Sequence, residues 1–175
     1  MNAIATWTTQ RFRLLLVLVI IGSFSVLLYA GRRIQQEAPP IPQRVTSTTG
    51  EPFIAPGEIQ DGQNVWQAMG GMQVGSVWGH GSYVAPDWTA DYLHREARIV
   101  LDQYAKQTGA ARYDALPPET QAALRERLRA AVRTNTYDAQ SGTLTLPAER
   151  MQAFRELEEY YGKLFREGRR EFAIP

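Results

Sequence analysis

His80, Asp87 and His94 stand seven residues apart in turn and are the groups in this chain best suited to hold a metal ion, because two imidazoles and a carboxylate make a workable ligand set. His80 falls in a glycine-rich loop and His94 on a predicted helix, and nothing in the spacing forces convergence. The blander expectation is a His80 hydrogen-bonded to loop backbone and a His94 on a part-exposed helix face beside Arg95 and Glu96. Glu156, Glu158 and Glu159 offer carboxylates for acid/base chemistry, but their helical spacing and the neighbouring Arg155 predict a solvated face. Trp66, Trp78 and Trp88 crowd one short region. Each buries on the order of 150 to 250 Å² when covered, so most belong to a core and at most one is left for docking. No phosphate-binding loop, nucleophile elbow or dinucleotide fingerprint occurs.

The elements that hold these groups must fit a chain of 175 residues, 44% hydrophobic, without a single cysteine. That absence removes disulfides, thiolate metal sites, cysteine nucleophiles and covalent attachment of a c-type haem together. The formal charge is +1; taking Arg11 and Arg13 from the 19 basic side chains leaves 17 against 18 acidic ones. A surface so balanced cannot neutralise a row of phosphates, so nucleic acid is not an expected partner.

Residues 14–30, LLLVLVIIGSFSVLLYA, form an uncharged run at the short end of what spans a hydrocarbon core of roughly 30 Å. Phe12 and snorkelling by Arg13, Arg32 and Arg33 lengthen it. A cleaved signal peptide would need small residues at −3 and −1; cleavage after Ala30 puts Leu28 at −3, and cleavage after Gly31 puts Tyr29 there. A retained transmembrane anchor over 1–34 is the better reading. Two arginines flank each side, so only the free amino terminus tips the N-terminus toward the cytoplasm.

Residues 35–50, QQEAPPIPQRVTSTTG, read as an extended tether rich in Pro, Ser and Thr, and the folded domain is expected over 51–175, open to truncation at its C-terminus. Within it, 57–69 aligns Ile59, Val65, Trp66 and Met69 on one side of a helix that Gly70-Gly71 ends. A loop carrying Gly75, Gly79 and Gly81 runs to Asp87. The next helix follows Pro86 with Asp87 or Thr89 as N-cap, stripes Leu93, Ala97, Val100, Leu101 and Tyr104, and stops at Thr108-Gly109. A third opens at Pro117-Pro118-Glu119 and buries Leu124, Leu128, Ala131 and Val132. Ser141-Gly142 turns a small hairpin within 136–146. A fourth, 148–165, sets Met151, Phe154, Leu157, Tyr161, Leu164 and Phe165 at helical spacing. The tail GRREFAIP has no evident packing role. The fold class is mainly α: a transmembrane helix plus a small helical domain with a minor β-hairpin.

The string at 62–96, GQNVWQAMGGMQVGSVWGHGSYVAPDWTADYLHRE, resembles the N-terminal extracytoplasmic segment of the quinol-dependent nitric oxide reductases. The likeness rests on Gly62-Gln63 with Trp66-Gln67, on Gly70-Gly71, on Gly75-Ser76 and Gly79-His80-Gly81, on Tyr83, on Ala85-Pro86-Asp87-Trp88 and on Leu93-His94-Arg95-Glu96. It implies a haem-free, cytochrome c-like domain on the periplasmic side of a bacterial cytoplasmic membrane, fused ahead of a multi-helix catalytic core of the haem-copper oxidase superfamily that serves denitrification. In that family, histidines of the core hold b-type haems and a non-haem iron, and two nitric oxide molecules become nitrous oxide with electrons from quinol. None of those helices is in this sequence. No catalytic, cofactor-binding or metal residue is therefore carried over, and the segment itself is expected to bind no cofactor. The implied partners are membrane lipid, the core of the same polypeptide and, through it, quinol. Trp66, Gly70, Gly71, Trp78, His80, Tyr83, Pro86, Asp87, Trp88, His94, Arg95 and Glu96 are the family-motif positions, expected to be structural or interfacial.

Ser76-Val77-Trp78-Gly79-His80 has the register of Cys-x-x-Cys-His, which is either a haem site that has lost its attachment, with Trp78 or Trp88 filling the space, or a coincidence within a glycine-rich loop. Three functional readings remain. The first is the N-terminal portion of the reductase, with further apolar spans beyond Pro175. The second is a single-pass binding module that docks an electron carrier or partner subunit. The third is a free-standing metalloprotein built on His80, Asp87 and His94.

Overall fold

The structure is a computed structural model that describes residues 2–77, 79, 86–172 and 174. It divides into two compact units, 1–40 and 41–175. The first is a single helix, α1 (Asn2–Glu37), whose most apolar 18-residue window within Thr9–Glu37 has a mean hydropathy of 2.5 with none of it buried. Leucine, isoleucine, valine and phenylalanine side chains face outward all around it, as a helix solvated by hydrocarbon requires. Ser25 returns its hydroxyl to the Ile21 carbonyl at 2.8 Å, so it exposes no unpaired donor.

The second unit contains, in chain order, β1 (Arg44–Ser47), β2 (Pro52–Ile54), α2 (Glu58–Ala68), α3 (Trp88–Gln107), α4 (Pro118–Arg133), β3 (Tyr137–Asp138), β4 (Thr143–Leu146) and α5 (Ala148–Glu167). The strands form one sheet in the order β2-β1-β4-β3. The hairpin expected at 136–146 is present as β3 and β4, but it is only half of the sheet.

Strand β1 corrects the sequence reading, which assigned 35–50 to a tether. Arg44 through Ser47 pair in parallel with Thr143 through Leu146, and Gln43 N–H donates to the Gly142 carbonyl at 2.8 Å. Val45 and Ser47 point inward and are buried, whereas Arg44 is exposed: the period of two was present but only four residues long. Ser47 Oγ accepts from the backbone N–H of Thr49 and Glu51, closing the turn into β2. The linker between the two units is therefore only 38–43.

The core lies in two clusters. One joins Val100, Leu101, Tyr104 and Ala105 of α3 to Leu124 of α4 and Ala153 of α5; the other joins Trp88, Leu164 and Ile174, with Trp66, Tyr160, Tyr161 and Phe172 around them. Phe53 meets Phe154 edge-on at 4.7 Å and ties the sheet to α5. Ile174 and Phe172 give the C-terminal tail the packing role its sequence did not suggest. A 3-10 turn folds it back, with Arg169 and Ile174 exchanging backbone hydrogen bonds at 3.0 and 3.1 Å.

Several apolar positions assigned to inner stripes are exposed instead: Val65 on α2 and Met69 at its C-cap, Leu93 on α3 and Phe165 on α5. Periodicity identifies a face, but α2 is a short helix with no fully buried residue, and Leu93 lines an open cleft between α3 and α4. Val132, read as buried, is likewise 46% exposed.

Candidate functional site: the Asp87 clasp and its aromatic floor

The motif region is organised by Asp87. As N-cap of α3 it takes extended backbone angles, and its Oδ1 accepts from Ala90 N–H at 2.8 Å. Its Oδ2 accepts from the Ser76 hydroxyl at 2.8 Å and from Gly79 N–H at 2.7 Å. Around it, Ser76 N–H donates to the Pro86 carbonyl at 3.0 Å and Trp88 N–H to the Ser76 carbonyl at 2.8 Å. The two ends of the loop are thus clasped at the start of α3. Trp78, His80 and Tyr83 belong to that loop and lie outside the described residues, so the fate of the Cys-x-x-Cys-His-like register at 76–80 lies there too.

Beneath the clasp, glycines admit indole rings. A Cβ on Gly71 would stand 2.2 Å from the Trp66 ring, and one on Gly75 would stand 2.0 Å from Trp88 Nε1. Only a residue without a side chain permits either approach. Gly70 has φ 69° and ends α2. Trp88, 7% exposed, meets Tyr161, Phe165 and Phe172 edge-on at centroid distances of 6.2, 5.3 and 5.7 Å. Its Nε1 has no acceptor among the described residues. Gly71→Ala should lower stability by about 1–3 kcal/mol through displacement of the half-exposed Trp66 ring. Urea unfolding of the chain in detergent, followed by tryptophan emission, would measure it.

Along α3 the motif continues as two ion pairs. Arg95 Nε donates to Asp91 Oδ2 at 2.8 Å and its guanidinium sits 4.2 Å over the Tyr160 ring; Tyr161 donates its hydroxyl to the same Asp91 oxygen at 2.8 Å. Glu96, 4% exposed, accepts from Arg150 Nε at 2.7 Å and Nη2 at 3.3 Å, a two-point contact between α3 and α5. His94, between them, is exposed. Sequence reasoning had Ser76 and Glu96 as motif positions and Tyr161 on the α5 stripe, but it missed Asp91, Tyr160 and Arg150 as their partners; of these only Asp91, four residues before Arg95, carried a signal.

The electrostatics follow from these contacts. Ala90 N–H first, then the Ser76 hydroxyl and further backbone donors, hold the Asp87 carboxyl below its ordinary range despite some desolvation. For Asp91, burial favours the neutral acid, but the hydrogen bonds from Arg95 and Tyr161 outweigh it and the net direction is again down. Burial, and then the Glu96 carboxylate, push Tyr92 up to about 12. Depressed carboxyls stabilise the fold above their ordinary value of 3.8, and that stabilisation is lost as pH falls through the folded values. Proteolysis within 76–90 should therefore accelerate only below about pH 4, and Asp87→Asn should show the faster cleavage already at pH 7. An Asp87→Asn chain cleaved at the wild-type rate would remove the clasp from this account.

Both Asp87 oxygens are engaged by three donors, which commits the carboxylate to the helix cap and the loop ends. Among the described residues no three His, Asp or Glu side chains converge. What remains among the described residues is a structural neck: two loop ends pinned by one carboxylate above an aromatic floor, with the Ser76 hydroxyl spent on Asp87. Residues 42–175, nearly the whole second unit, match the model of the NorB cytochrome c-like domain of nitric oxide reductase.

The chain belongs to that family.

No curated protein matches it. A covalently held c-type haem needs cysteine thiolates. This sequence has none, His94 is exposed, and beneath the clasp Trp88 packs on Gly75. The residues present do not fit a covalently held haem. Membership of this family and the apolar α1 together mark a membrane-anchored, nitric oxide reductase-related protein.

Proposed function

We propose that this chain is the N-terminal part of a quinol-dependent nitric oxide reductase, in which the anchored domain is structural and covers a catalytic membrane core carried by the same polypeptide. The observation that carries the reading is how the family motif is used. Gly71, Gly75, Asp87, Trp88, Arg95 and Glu96 are engaged in capping, ring packing and ion pairing, and none is left over for redox chemistry. The core supplies the haems, the non-haem iron and the quinol site; the domain supplies a rigid lobe on the periplasmic face of the cytoplasmic membrane.

The test is made on the native gene product purified from its membrane. A polypeptide much larger than 19.7 kDa that consumes nitric oxide with a reduced quinone analogue, and not with reduced cytochrome c, is the expected result. Turnover driven equally well by cytochrome c would overturn the choice of donor. A native mass of 19.7 kDa without turnover would overturn the fused-core reading and favour a single-pass docking module.

A further inference from the structure

Helix α4 carries Arg125, Arg129 and Arg133 four residues apart, on one line along the helix. Beside that line runs an open apolar trough between α3 and α4, lined by Leu93, Ala97, Leu128 and Val132. A neighbouring hollow that shares Val132 runs past Arg133 to Leu144 and Leu146 of β4. Leu93 and Val132 are 48% and 46% exposed, a large apolar exposure for a domain that buries Val100 and Leu101 on the same α3.

The charges around the trough do not cancel. Glu96 is consumed by Arg150, and Glu126 pairs with Arg129 at 2.8 Å on an exposed side of α4. Arg125 touches only the neutral Tyr113 hydroxyl, and Arg133 has no partner among the described residues. Two guanidiniums beside exposed leucine and valine are left to be neutralised from outside. An anionic, amphipathic surface does this, with phosphates on the arginine line and apolar matter in the trough. The chain itself restricts what can reach the trough: Glu37 ends the membrane helix and Arg44 begins β1, so the domain stays within a covalent reach of about 25 Å of the bilayer.

We infer that the arginine line of α4 and the adjoining trough form a docking surface for the anionic phospholipid of the membrane that anchors the chain. The inference rests on membrane anchorage, not on the catalytic reading, so either can fail without the other.

The native chain has no cysteine, so Val132→Cys accepts a single polarity-sensitive dye. The labelled full chain is placed in nanodiscs of phosphatidylcholine alone or of phosphatidylcholine with phosphatidylglycerol. The expected result is a blue shift in the anionic discs only, reversed near 1 M salt, where screening acts within about 3 Å. It should be absent from a control dye at Glu159→Cys. Arg125→Gln, Arg129→Gln and Arg133→Gln together should weaken the anionic preference on the order of 100-fold. Equal shifts in both discs, or none, would overturn the proposal. So would a shift in neutral discs that rises with protein concentration, which would mean a second copy. A shift of equal size for the labelled chain in detergent without phospholipid would mean that something other than anionic lipid covers the trough, and would overturn it as well.

Discussion

Arg150→Ala should cost the domain about 3–5 kcal/mol, because it strips the counter-ion from a carboxylate that stays in the interior. Glu96 is 4% exposed and has Arg150 as its hydrogen-bonding partner at both oxygens. Removing the arginine takes away both of these hydrogen bonds, and the wall of α3 that holds Glu96 is fixed by Val100 and Leu101 in the core one turn further on. The pair itself is a different matter. Two desolvated charges recover little more than their desolvation cost, so replacing both, as in Glu96→Leu with Arg150→Leu, should return most of the lost stability. Arg150→Lys should fall between, since an ammonium reaches one oxygen and not two. Urea midpoints of the four chains in detergent give the comparison. A single Arg150→Ala cost below about 1 kcal/mol, within the range of an exposed pair, would show that water reaches Glu96.

The second large effect is expected at Trp88. Truncation to alanine empties the space between α3, α5 and the C-terminal turn, and a buried tryptophan typically costs about 3–5 kcal/mol. Gly75→Ala attacks the same contact from the other side. Its new Cβ meets Trp88 Nε1 at 2.0 Å and the Pro86 carbonyl at 2.7 Å; the ring can shift, but the backbone oxygen is held by Ser76 N–H. A cost of about 1–3 kcal/mol or somewhat more follows. The two changes share a space, so the double variant should be less damaged than the sum of the singles, by a margin well above the ~0.5 kcal/mol scatter of independent sites. Strict additivity would mean that Gly75 is needed for its backbone rather than for the indole. Near-ultraviolet circular dichroism would show which: the Gly75→Ala chain should lose the asymmetric Trp88 environment while keeping its helices.

Both effects concern residues that hold the family motif in place, and they separate what could be read along the chain from what could not. The long apolar helix was legible because seventeen uncharged residues in a row approach the length that spans a hydrocarbon core, and no small residue stands at −3 of either cleavage point weighed. The helices α3, α4 and α5 were legible because each brings its own punctuation: Asp87 and Gly109 around α3, Pro117-Pro118 before α4, Pro147 and Gly168 around α5. Asp87 was legible as a cap. Its second oxygen, which gathers Ser76 and Gly79, was not, because a loop's return path is not written in its local sequence.

Strand β1 was hidden for the same reason. Its short, bulged pairing with β2 is completed by a full four-residue register with β4, about one hundred positions away, and a Pro- and Thr-rich composition suggested a tether. The C-terminal Phe172 and Ile174 looked unemployed until α2, α3 and α5 had built the cluster they close. Glu96 and Arg150 each resembled an ordinary helix surface charge; their meeting depends on the crossing of α3 and α5. Conversely, Leu93 and Val132 had the spacing of core residues, and only the way α4 leans on α3 leaves them in the open beside a line of arginines.

Short-range chemistry, meaning propensity, capping and hydrophobic period, acts between neighbours in the chain and so is readable from the order of residues alone: it set the anchor, the helix ends and the lack of any thiol chemistry. Burial, pairing and exposed charge depend on which segments come to lie together. That is a collective outcome of packing, and it made the clasp, the buried ion pair and the open arginine-lined face of this domain.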